Sequence, residues 1–529
     1  MSQMLKSSGA MGAATLTSRV LGMVREMAYA GFMGVGWVAD AFFMAFMVPN
    51  LFRRLLGEGA LTAAFIPIFK EKEKLAGEKE MWRASNAVVS GLLAGSALLI
   101  LLGLAGVSVA IAYGRQELNG ATNFTDETLL MLQLLRVMLP YLLLVCLAAI
   151  CMGMLNARGH FFVPAMGSTM LNLVMIASVW WLAPQFGANL EQQVFALAIG
   201  VVVAGLAQAA FQMPLLHREG FRYQWVTPWS DPTVRRVAIQ MVPALLGVAA
   251  FQINVLVTQS MAFWFEKGIV SSFNTAVRLM ELPQGVFGIS LATYLLPTLS
   301  GLAAEKKFPE FRATLAQGLG YLVFINLLAS VLLLVEAEPI VRLLFERGKF
   351  DASATLRASA ALACLAPGLV AFSMVNILAR AFYALGDTKT PMLISVFCLM
   401  INVLFAAALI WRFKQGGLGA ANTLSAVCNV ALLLFALRKK LARLELASLR
   451  ASLRSLLIAG ALAGGTAWGA LWFWETRLGH DTLPMKIGEV FAPMTLATLV
   501  YFGVAHWLKI SYAHEFTALL GKRLSRLRR

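Results

Sequence analysis

The chain has 529 residues, of which 59% are hydrophobic and only 13% are charged, and its mean hydropathy is +0.74. This composition excludes a soluble multidomain protein of that length and indicates an integral membrane protein. The formal net charge is +17. In a soluble protein such an excess would suggest nucleic acid as a partner, but in a membrane protein basic residues first indicate topology.

Windows of about 20 apolar residues predict an all-α fold with about 14 membrane-spanning helices. The predicted helices cover roughly 6–32, 37–66, 84–113, 128–155, 161–183, 192–215, 236–264, 270–303, 314–336, 356–384, 390–411, 416–438, 453–475 and 486–508. No cleavable signal peptide is evident at the N-terminus, so the first of these helices is expected to be retained.

Lysine and arginine are concentrated in alternate connections and at the two ends of the chain. Examples are the connection KEKEKLAGEKEMWR and the tail GKRLSRLRR. Because cytoplasmic loops retain positive charge, both termini are predicted to face the cytoplasm. The charge excess is then mainly an orientation signal. We therefore expect no nucleic acid partner, while the basic tail can rest on anionic membrane lipids.

The remaining connections are short. None exceeds roughly 25 residues, which leaves no room for a separate soluble catalytic domain and argues against an enzyme. The longest, EAEPIVRLLFERGKFDASATLR, is predicted to form a short interfacial helix and a turn. Cysteines and histidines show no metal-ligand or redox spacing, so we expect no metal site and no cofactor. The cysteines are expected to be small buried hydrophobic residues, and they are Cys146, Cys151, Cys364, Cys398 and Cys428.

An internal repeat relates the two halves of the chain. An offset of 230 residues superposes Phe43 on Phe273, Leu61 on Leu291, Pro67 on Pro297 and Asn172 on Asn402. Internal repeats with a site near the bilayer midplane are common in transporters. We therefore predict two pseudo-symmetric six-helix lobes, 1–220 and 221–445, followed by two further helices and a basic tail in 446–529.

The segment from Ser18 to Phe69 combines two predicted spans with an unusual number of charges. A charge at the centre of a bilayer span costs about 2.5–3.5 kcal/mol, so these side chains are expected to line an internal, wettable cavity. Guanidinium groups stay charged and direct two donors toward an oxyanion, which favours phosphate or carboxylate as the guest. The pattern predicts a transporter whose cargo has an anionic head. The charged residues are Arg19, Arg25, Glu26, Asp40, Arg53, Arg54 and Glu58.

The first of the two spans places two arginines on different sides of one helix. Arg19 and Arg25 are about 9 Å apart along the axis and about 120° apart around it, so both border one cavity only if that cavity is wide. Glu26 follows Arg25 directly, and neighbouring positions on a helix point in different directions. The partner of Glu26 is therefore expected on another helix, although an ion pair of Arg25 and Glu26 near a helix end is the alternative.

The second span is expected to kink at Pro49 and to present a polar patch below the kink. We favour Arg53 as the inward-facing arginine and leave the direction of Arg54 open, because one of the two can extend toward the head groups. Asp40, near the outer end, either caps a helix or pairs with Arg25 in a closed gate. Glu58 lies beside two glycines, where helix packing and gate pairing are both compatible with the sequence.

The second half contains a single polar stripe on an otherwise apolar helix. Asn274, Arg278 and Glu281 occupy positions i, i+4 and i+7, and Pro283 is predicted to kink the helix just beyond them. By the repeat, this helix corresponds to the second span of the first half. Arg278 is therefore expected to meet the first-half arginines in a central cavity.

The last two predicted helices have almost no internal charge but many aromatic residues. One interpretation is a lipid-facing surface with aromatic residues at the membrane interfaces. The other is a groove that holds a long acyl or polyprenyl tail while the arginines hold its head. The aromatic residues are Trp468, Trp472, Phe473, Trp474, Phe491, Tyr501 and Phe502.

Several motifs together resemble the MurJ (MviN) family of lipid II flippases in the multidrug, oligosaccharidyl-lipid and polysaccharide exporter superfamily. The motifs are SRVLG, ADAFF, PNLFRRLLGEGALTAAFIP, RLMELPQGVFG, LFERGKF and GDTKTP. The resemblance spans essentially the whole chain. It implies a bacterial inner-membrane protein with 14 helices that moves undecaprenyl-diphosphate-linked disaccharide pentapeptide from the cytoplasmic to the periplasmic leaflet by alternating access. It also implies a tail groove in the last two helices.

The resemblance assigns roles to individual residues. Cavity arginines of the family fall on Arg19, Arg25, Arg53 and Arg278, and acidic partners fall on Glu26, Asp40 and Glu281. Many relatives have an acidic residue before the arginine of the R-L-M-E segment, where this chain has Val277. No carboxylate lies in the helices around 236–264, 390–411 or 416–438, so a sodium site of the sort found in some relatives is not evident.

The sequence thus predicts a lipid II flippase without covalent chemistry. It binds lipid II and membrane lipids, has other cell-wall synthesis proteins as candidate partners, and is driven by membrane potential or an ion gradient. The alternatives are an exporter of another polyprenyl-linked glycan or of drugs on the same fold, a membrane glycan polymerase, and a non-transporting scaffold. Drug exporters need an acidic cavity for cationic cargo, and a polymerase needs a carboxylate in a substantial outer loop.

Overall fold

The computed structural model describes residues 2–55, 61–118, 121–445 and 447–515. Within these ranges the regular structure is helical except for one two-stranded antiparallel hairpin, in which β1 (Glu117–Leu118) pairs with β2 (Ala121–Thr122). The predicted all-α class is confirmed. The helices are α1 (Ser2–Met33), α2 (Trp37–Phe52), α3 (Leu61–Gly114), α4 (Asp126–Met138), α5 (Tyr141–Ala157), α6 (Phe162–Ala177), α7 (Leu190–Arg218), α8 (Pro232–Phe265), α9 (Ile269–Pro283), α10 (Ser290–Ala304), α11 (Phe308–Val335), α12 (Ala337–Phe345), α13 (Ala352–Leu365), α14 (Gly368–Ala384), α15 (Lys389–Leu441), α16 (Ala447–Arg477) and α17 (Leu483–Trp507).

The chain forms two compact units, Met1–Ser271 and Ser272–Arg529. The boundary between them falls inside α9, which begins in unit 1 and continues into unit 2. The predicted lobes, 1–220 and 221–445, were derived from the sequence repeat, whereas the two units are defined by the compactness of the structure. The division into these lobes stays a prediction.

Seven helices of the described residues are long and apolar enough to cross a membrane, and ten spans result if each bent helix pair counts as one. Two of the seven are much longer than one crossing. The 53 residues of α15, for example, would extend ~80 Å, against a hydrocarbon core of ~30 Å. Its backbone leaves helical geometry at Lys414 (φ 49°), between the predicted spans 390–411 and 416–438. The number of fourteen spans stays a prediction.

Two bent helix pairs occupy corresponding places in the two halves. Helices α4 and α5 meet at 44° next to Pro140, and α13 and α14 meet at 47° next to Pro367. Proline cannot donate the backbone hydrogen bond that would continue the preceding helix, so each pair breaks there. Pro140 and Pro367 are 227 residues apart, close to the offset of the sequence repeat. Each unit therefore contains the same proline-bent element.

Unit 1 has an aromatic core between α3, α5 and α8. Phe65 and Phe69 on α3 are in contact at a centroid distance of 5.5 Å with their rings tilted by 50°, and Trp82 contacts Phe69 edge to face at 5.6 Å. Trp82 also packs on Phe221, in the connection between α7 and α8. The core therefore extends from the helices into that connection.

In unit 2, the last two helices pack onto α11. Ala459, Ala463 and Ala467 form a fully buried stripe of small residues on α16, which lets two helices approach closely. On α17, Tyr501 is fully buried and its hydroxyl donates to the carbonyl of Phe324 at 2.7 Å. Tyr501 is therefore a core residue, and its assignment to an exposed aromatic surface or groove was wrong. The exposed aromatic residues of this pair are Trp468, Trp472, Phe473, Phe491 and Trp507.

The short predicted helix after α11 is present as α12. Its Arg342 is only 7% exposed and pairs with the fully buried Glu489 on α17 and with Glu338 one turn earlier. Glu346 and Glu475 approach the same guanidinium at 3.9 and 4.0 Å. This cluster of opposite charges links α12 to the last two helices.

All five cysteines are free, and three of them are buried. Within the described ranges, no group of three or more His, Cys, Asp or Glu side chains is arranged to hold a metal ion.

Candidate functional site

Arg25 lies half-buried in the middle of α1, where a neutral amide from another helix holds it. Its Nη1 donates to Oδ1 of Asn172 on α6 at 3.0 Å. The Nδ2 of the same amide donates to the carbonyl of Ser18 at 3.0 Å, and Asn172 is only 5% exposed. One asparagine therefore fixes the position of Arg25 and also fastens α6 to the preceding turns of α1.

The second described partner of Arg25 is its sequence neighbour. The Nη2 of Arg25 forms an ion pair with Oε1 of Glu26, although the two residues were expected to point in different directions. The ion pair of Arg25 and Glu26, the alternative that the sequence allowed, is therefore present, because both side chains are long enough to turn toward each other across the helix surface. A partner of Glu26 on another helix stays a prediction. The guanidinium of Arg25 also lies 5.5 Å from the ring centre of Tyr29, within range of a cation–π contact.

Arg19 lies on the same helix and is exposed. It is six residues before Arg25, which corresponds to about 9 Å of axial rise. Its assignment to cargo binding stays a prediction.

The end of α2 is polar, as the sequence predicted, while the kink at Pro49 stays a prediction. Pro49 is buried inside the last turns of the helix, and the backbone widens into a π-helical turn over residues 53–55. The Nε of Arg53 donates to Oδ1 of Asn50 at 2.9 Å, so a neutral amide again orients a guanidinium. Arg53 and Arg54 are both half-buried, and the preference for Arg53 as the cargo-facing arginine stays a prediction. Glu58 lies outside the described residues.

Asp40 is a fully buried carboxylate near the start of α2. It accepts hydrogen bonds from the backbone N–H groups of Gly268 and Ser271, the latter at 2.7 Å. Gly268 immediately precedes α9 and Ser271 lies in its first turn, where unsatisfied N–H groups and the helix dipole favour a negative charge. Of the two predicted roles for Asp40, helix capping is the one observed, and the capped helix is the one that contains Arg278.

In unit 2, α9 displays the predicted polar stripe. The Nη1 of Arg278 donates to Oε2 of Glu281 at 2.9 Å, and the two side chains are 36% and 45% exposed. Asn274, one turn earlier on the same face, is half-buried. The helix ends at Pro283, and a π-helical turn, Gln284–Ile289, leads into α10 at a bend of 42°. The predicted proline kink is confirmed, and the guanidinium of Arg278 is accessible.

The hydrogen bond from Arg25 to Asn172 was not predicted from the sequence, where Asn172 served only to mark the repeat. The available signal was an amide inside an apolar span, since a buried amide needs hydrogen-bond partners. Its counterpart Asn402 is also buried, at 3% exposure, and among the described residues its Oδ1 has no hydrogen-bond partner.

A second charged cluster lies at the ends of α5 and α7, outside the apolar spans. Arg158 donates to Glu73 at 2.6 Å and to Glu219 at 2.8 Å, and His160 contacts the other oxygen of Glu219 at 2.9 Å. The hydrogen bond from Arg158 is the main cause that lowers the pKa of Glu219. This cluster joins three helices and is already matched in charge, so it is a structural element.

The family model for "Lipid II flippase MurJ" matches residues 29–487. A protein of Vibrio cholerae serotype O1 named "Probable lipid II flippase MurJ" is 36% identical over 439 residues, which cover 82% of this chain and 82% of that protein. A protein of Burkholderia cenocepacia named "Lipid II flippase MurJ" is 33% identical over 433 residues, which cover 80% and 82% of the two chains.

Solved structures show the same fold. One described as "Lipid II flippase MurJ, inward closed conformation" has a TM-score of 0.75 at 22% identity and covers 94% of this chain and 98% of its own. An inward-facing MATE-family multidrug transporter of the MOP superfamily has a TM-score of 0.62 at 16% identity, with 80% and 95% coverage. The apolar helices and these relatives together indicate an integral protein of the bacterial inner membrane. The family model covers most of the chain, and the chain therefore belongs to the MurJ family of lipid II flippases.

Proposed function

We propose that this protein translocates lipid II, the undecaprenyl-diphosphate-linked peptidoglycan precursor, from the cytoplasmic to the periplasmic leaflet by alternating access. One observation is central to the proposal. Arg25 and Arg53 lie half-buried on apolar helices, and each donates to an amide oxygen, of Asn172 and of Asn50 respectively. An amide orients a guanidinium without cancelling its positive charge. Such arginines suit a diphosphate, whose oxygens accept paired N–H donors.

The proposed binding step exchanges one anion for another at Arg25. Asn172 keeps Nη1 in place, while an oxygen of the diphosphate replaces Glu26 at Nη2. Arg53 and the accessible Arg278 bind further phosphate oxygens, and Arg19 guides the head group toward them. The cargo is released when Glu26 and Glu281 again pair with Arg25 and Arg278 after the change of access.

One further acidic residue acts on the conformational change. Asp40 holds the start of α9. No covalent bond forms or breaks in this cycle, so the protein is a transporter and not an enzyme. It needs no cofactor, and membrane potential supplies ~2.3 kcal/mol per charge per 100 mV, with an ion gradient as the alternative source.

The polyprenyl tail stays in the membrane during this cycle. The exposed aromatic face of α16, formed by Trp468, Trp472 and Phe473, supports a tail groove along the last two helices. In this arrangement both chain termini face the cytoplasm, as the distribution of Lys and Arg favours. Other cell-wall synthesis proteins are the proposed protein partners.

The test uses cells depleted of their own flippase and complemented with Arg278→Ala. Accessibility of lipid II at the outer surface should fall to the level of depleted cells, because a point of diphosphate binding is lost. Arg278→Lys should recover it only in part, since an ammonium cannot bind bidentately. Arg438→Ala removes an exposed arginine of the same unit and serves as the matched control. Normal accessibility with correctly folded Arg278→Ala would exclude Arg278 from cargo binding.

A further inference from the structure

A separate cavity lies in unit 1, away from the arginines of α1 and α2. Its volume is about 480 Å³, and it lies between α3, just after the non-helical Gly77, and the connection from α7 to α8. We call it the α3 pocket. It is lined by Ala76, Lys79, Glu80, Trp82, Arg83, Asn86, Gly220, Arg222, Gln224 and Val226.

The lining of the α3 pocket is positively charged. Three of its side chains are cations, Lys79, Arg83 and Arg222, and one is an acid, Glu80. Arg83 donates to Glu80 at 3.0 Å and lies 3.8 Å from Oδ2 of Asp231, and Arg222 contacts the imidazole of His217 at 2.8 Å. Within the described part of the chain, Lys79 forms no ion pair. The pocket therefore has more positive than negative charge and favours an anionic ligand.

Two neutral groups in the pocket wall add hydrogen-bonding capacity. Asn86 is 4% exposed and donates from Nδ2 to the carbonyl of Arg222 at 3.0 Å, while among the described residues its Oδ1 has no partner. A buried acceptor without a donor is unfavourable, and a ligand hydroxyl that donates to it would relieve this cost. The indole Nε1 of Trp82 lies close to Gly220, since a Cβ atom added to Gly220 would be 3.5 Å from this nitrogen.

The connection that forms one wall of the pocket has the character of a membrane interface. Its aromatic residues Tyr223, Trp225 and Trp229 are 45%, 60% and 78% exposed. Tyrosine and tryptophan are enriched where a membrane protein meets the head groups. Lipid head groups are therefore the anions present at the highest concentration beside this pocket.

We propose that the α3 pocket binds the head group of an anionic glycerophospholipid. The phosphate lies among Lys79, Arg83 and Arg222 and accepts from the Trp82 indole, and a glycerol hydroxyl donates to Oδ1 of Asn86. Bound lipid holds the α7–α8 connection against α3. This site is distinct from cargo translocation and does not depend on it.

The test measures lipid binding to the full-length protein in detergent by native mass spectrometry. Short-chain phosphatidylglycerol is compared with phosphatidylcholine of the same chain length, and glycerol 3-phosphate provides the free head group. The pocket variant combines Lys79→Gln with Arg222→Gln. Lys74→Gln with Arg218→Gln is the matched control, because these residues are exposed on the same two helical regions and lie outside the pocket lining.

We expect the protein to bind phosphatidylglycerol in preference to phosphatidylcholine. The affinity for phosphatidylglycerol should be about tenfold weaker in the pocket variant and unchanged in the control. Asn86→Asp, which adds a negative charge to the wall, should weaken it as well. Equal losses in the pocket variant and the control would overturn the proposal, because binding would then follow surface charge alone. Saturable binding of glycerol 3-phosphate without phosphatidylglycerol binding would overturn the assignment to a lipid. Thermal unfolding of each variant checks that the fold is retained.

Discussion

Replacing Asp40 should loosen the start of α9, the helix that contains Arg278. Asp40 is fully buried, and its carboxylate accepts from the N–H groups of Gly268 and Ser271. Hydrogen bonds to a charged acceptor contribute about 1.5–3 kcal/mol each, so two of them together contribute about 3–6 kcal/mol. Glu127, itself only 7% exposed, repels the charge of Asp40 and offsets part of this stabilisation.

The two informative variants are Asp40→Ala and Asp40→Asn. Alanine leaves both backbone donors without an acceptor, and we expect a loss of about 3 kcal/mol after the relief of repulsion is included. Asparagine still accepts one hydrogen bond, but its NH₂ group faces the other backbone donor. Its expected loss is therefore smaller, about 1–2 kcal/mol. Asp126→Asn, in the exposed first turn of α4, is the matched control and should change little.

Hydrogen exchange gives the most direct measurement, since it reports local opening of the amides that Asp40 binds. Protection of the Gly268 and Ser271 amides should fall by roughly tenfold in Asp40→Asn and by roughly a hundredfold in Asp40→Ala, while amides in the middle of α5 stay protected. Thermal unfolding of the purified protein gives the global effect. Unchanged protection of both amides in Asp40→Ala would refute the capping role derived from the structure.

Three further predictions follow from contacts in the two units. Asn172→Leu keeps the side-chain volume but removes the acceptor of Arg25, so transport measured as outer-surface lipid II should fall strongly while expression stays normal. Tyr501→Phe should lower thermal stability by about 0.5–1.5 kcal/mol, because it removes the hydrogen bond from the buried hydroxyl to the carbonyl of Phe324. A hydrogen bond from Lys440 lowers the pKa of Asp387 from 3.8 to about 2. The stability that this pair contributes is therefore complete above about pH 4 and is lost as the pH falls toward about 2. Thermal stability of Asp387→Asn should therefore decline less between these two pH values than that of the unchanged protein.

The helices and kinks could be predicted from the sequence because local chemistry determines them. Apolar stretches long enough to cross a bilayer have few alternatives to a helix, since backbone groups need internal partners there. The prolines at positions 49 and 283 distort the backbone regardless of how the surrounding helix packs. Even the short helix α12 was evident from one amphipathic segment.

The side-chain contacts could not be predicted in the same way. The pair formed by Arg25 and Glu26 depends on how two long side chains turn, which helical spacing does not determine. Arg342 and Glu489 are 147 residues apart, and only tertiary packing brings them together. Tyr501 was assigned to the surface because its helix is rich in aromatic residues, whereas the packing of α17 against α11 buries it.

The partners of the buried arginines explain why some are suited to cargo and others to structure. Arg342 has four carboxylates within 4.0 Å, so the protein itself compensates its charge. Arg25 and Arg53 each donate to an amide oxygen, which fixes the direction of the guanidinium without itself adding a negative charge beside it. An exchangeable carboxylate, such as Glu26 beside Arg25, then allows an anion to bind and to leave. The type of partner, more than burial itself, therefore distinguishes a candidate cargo site from a structural ion pair in this protein.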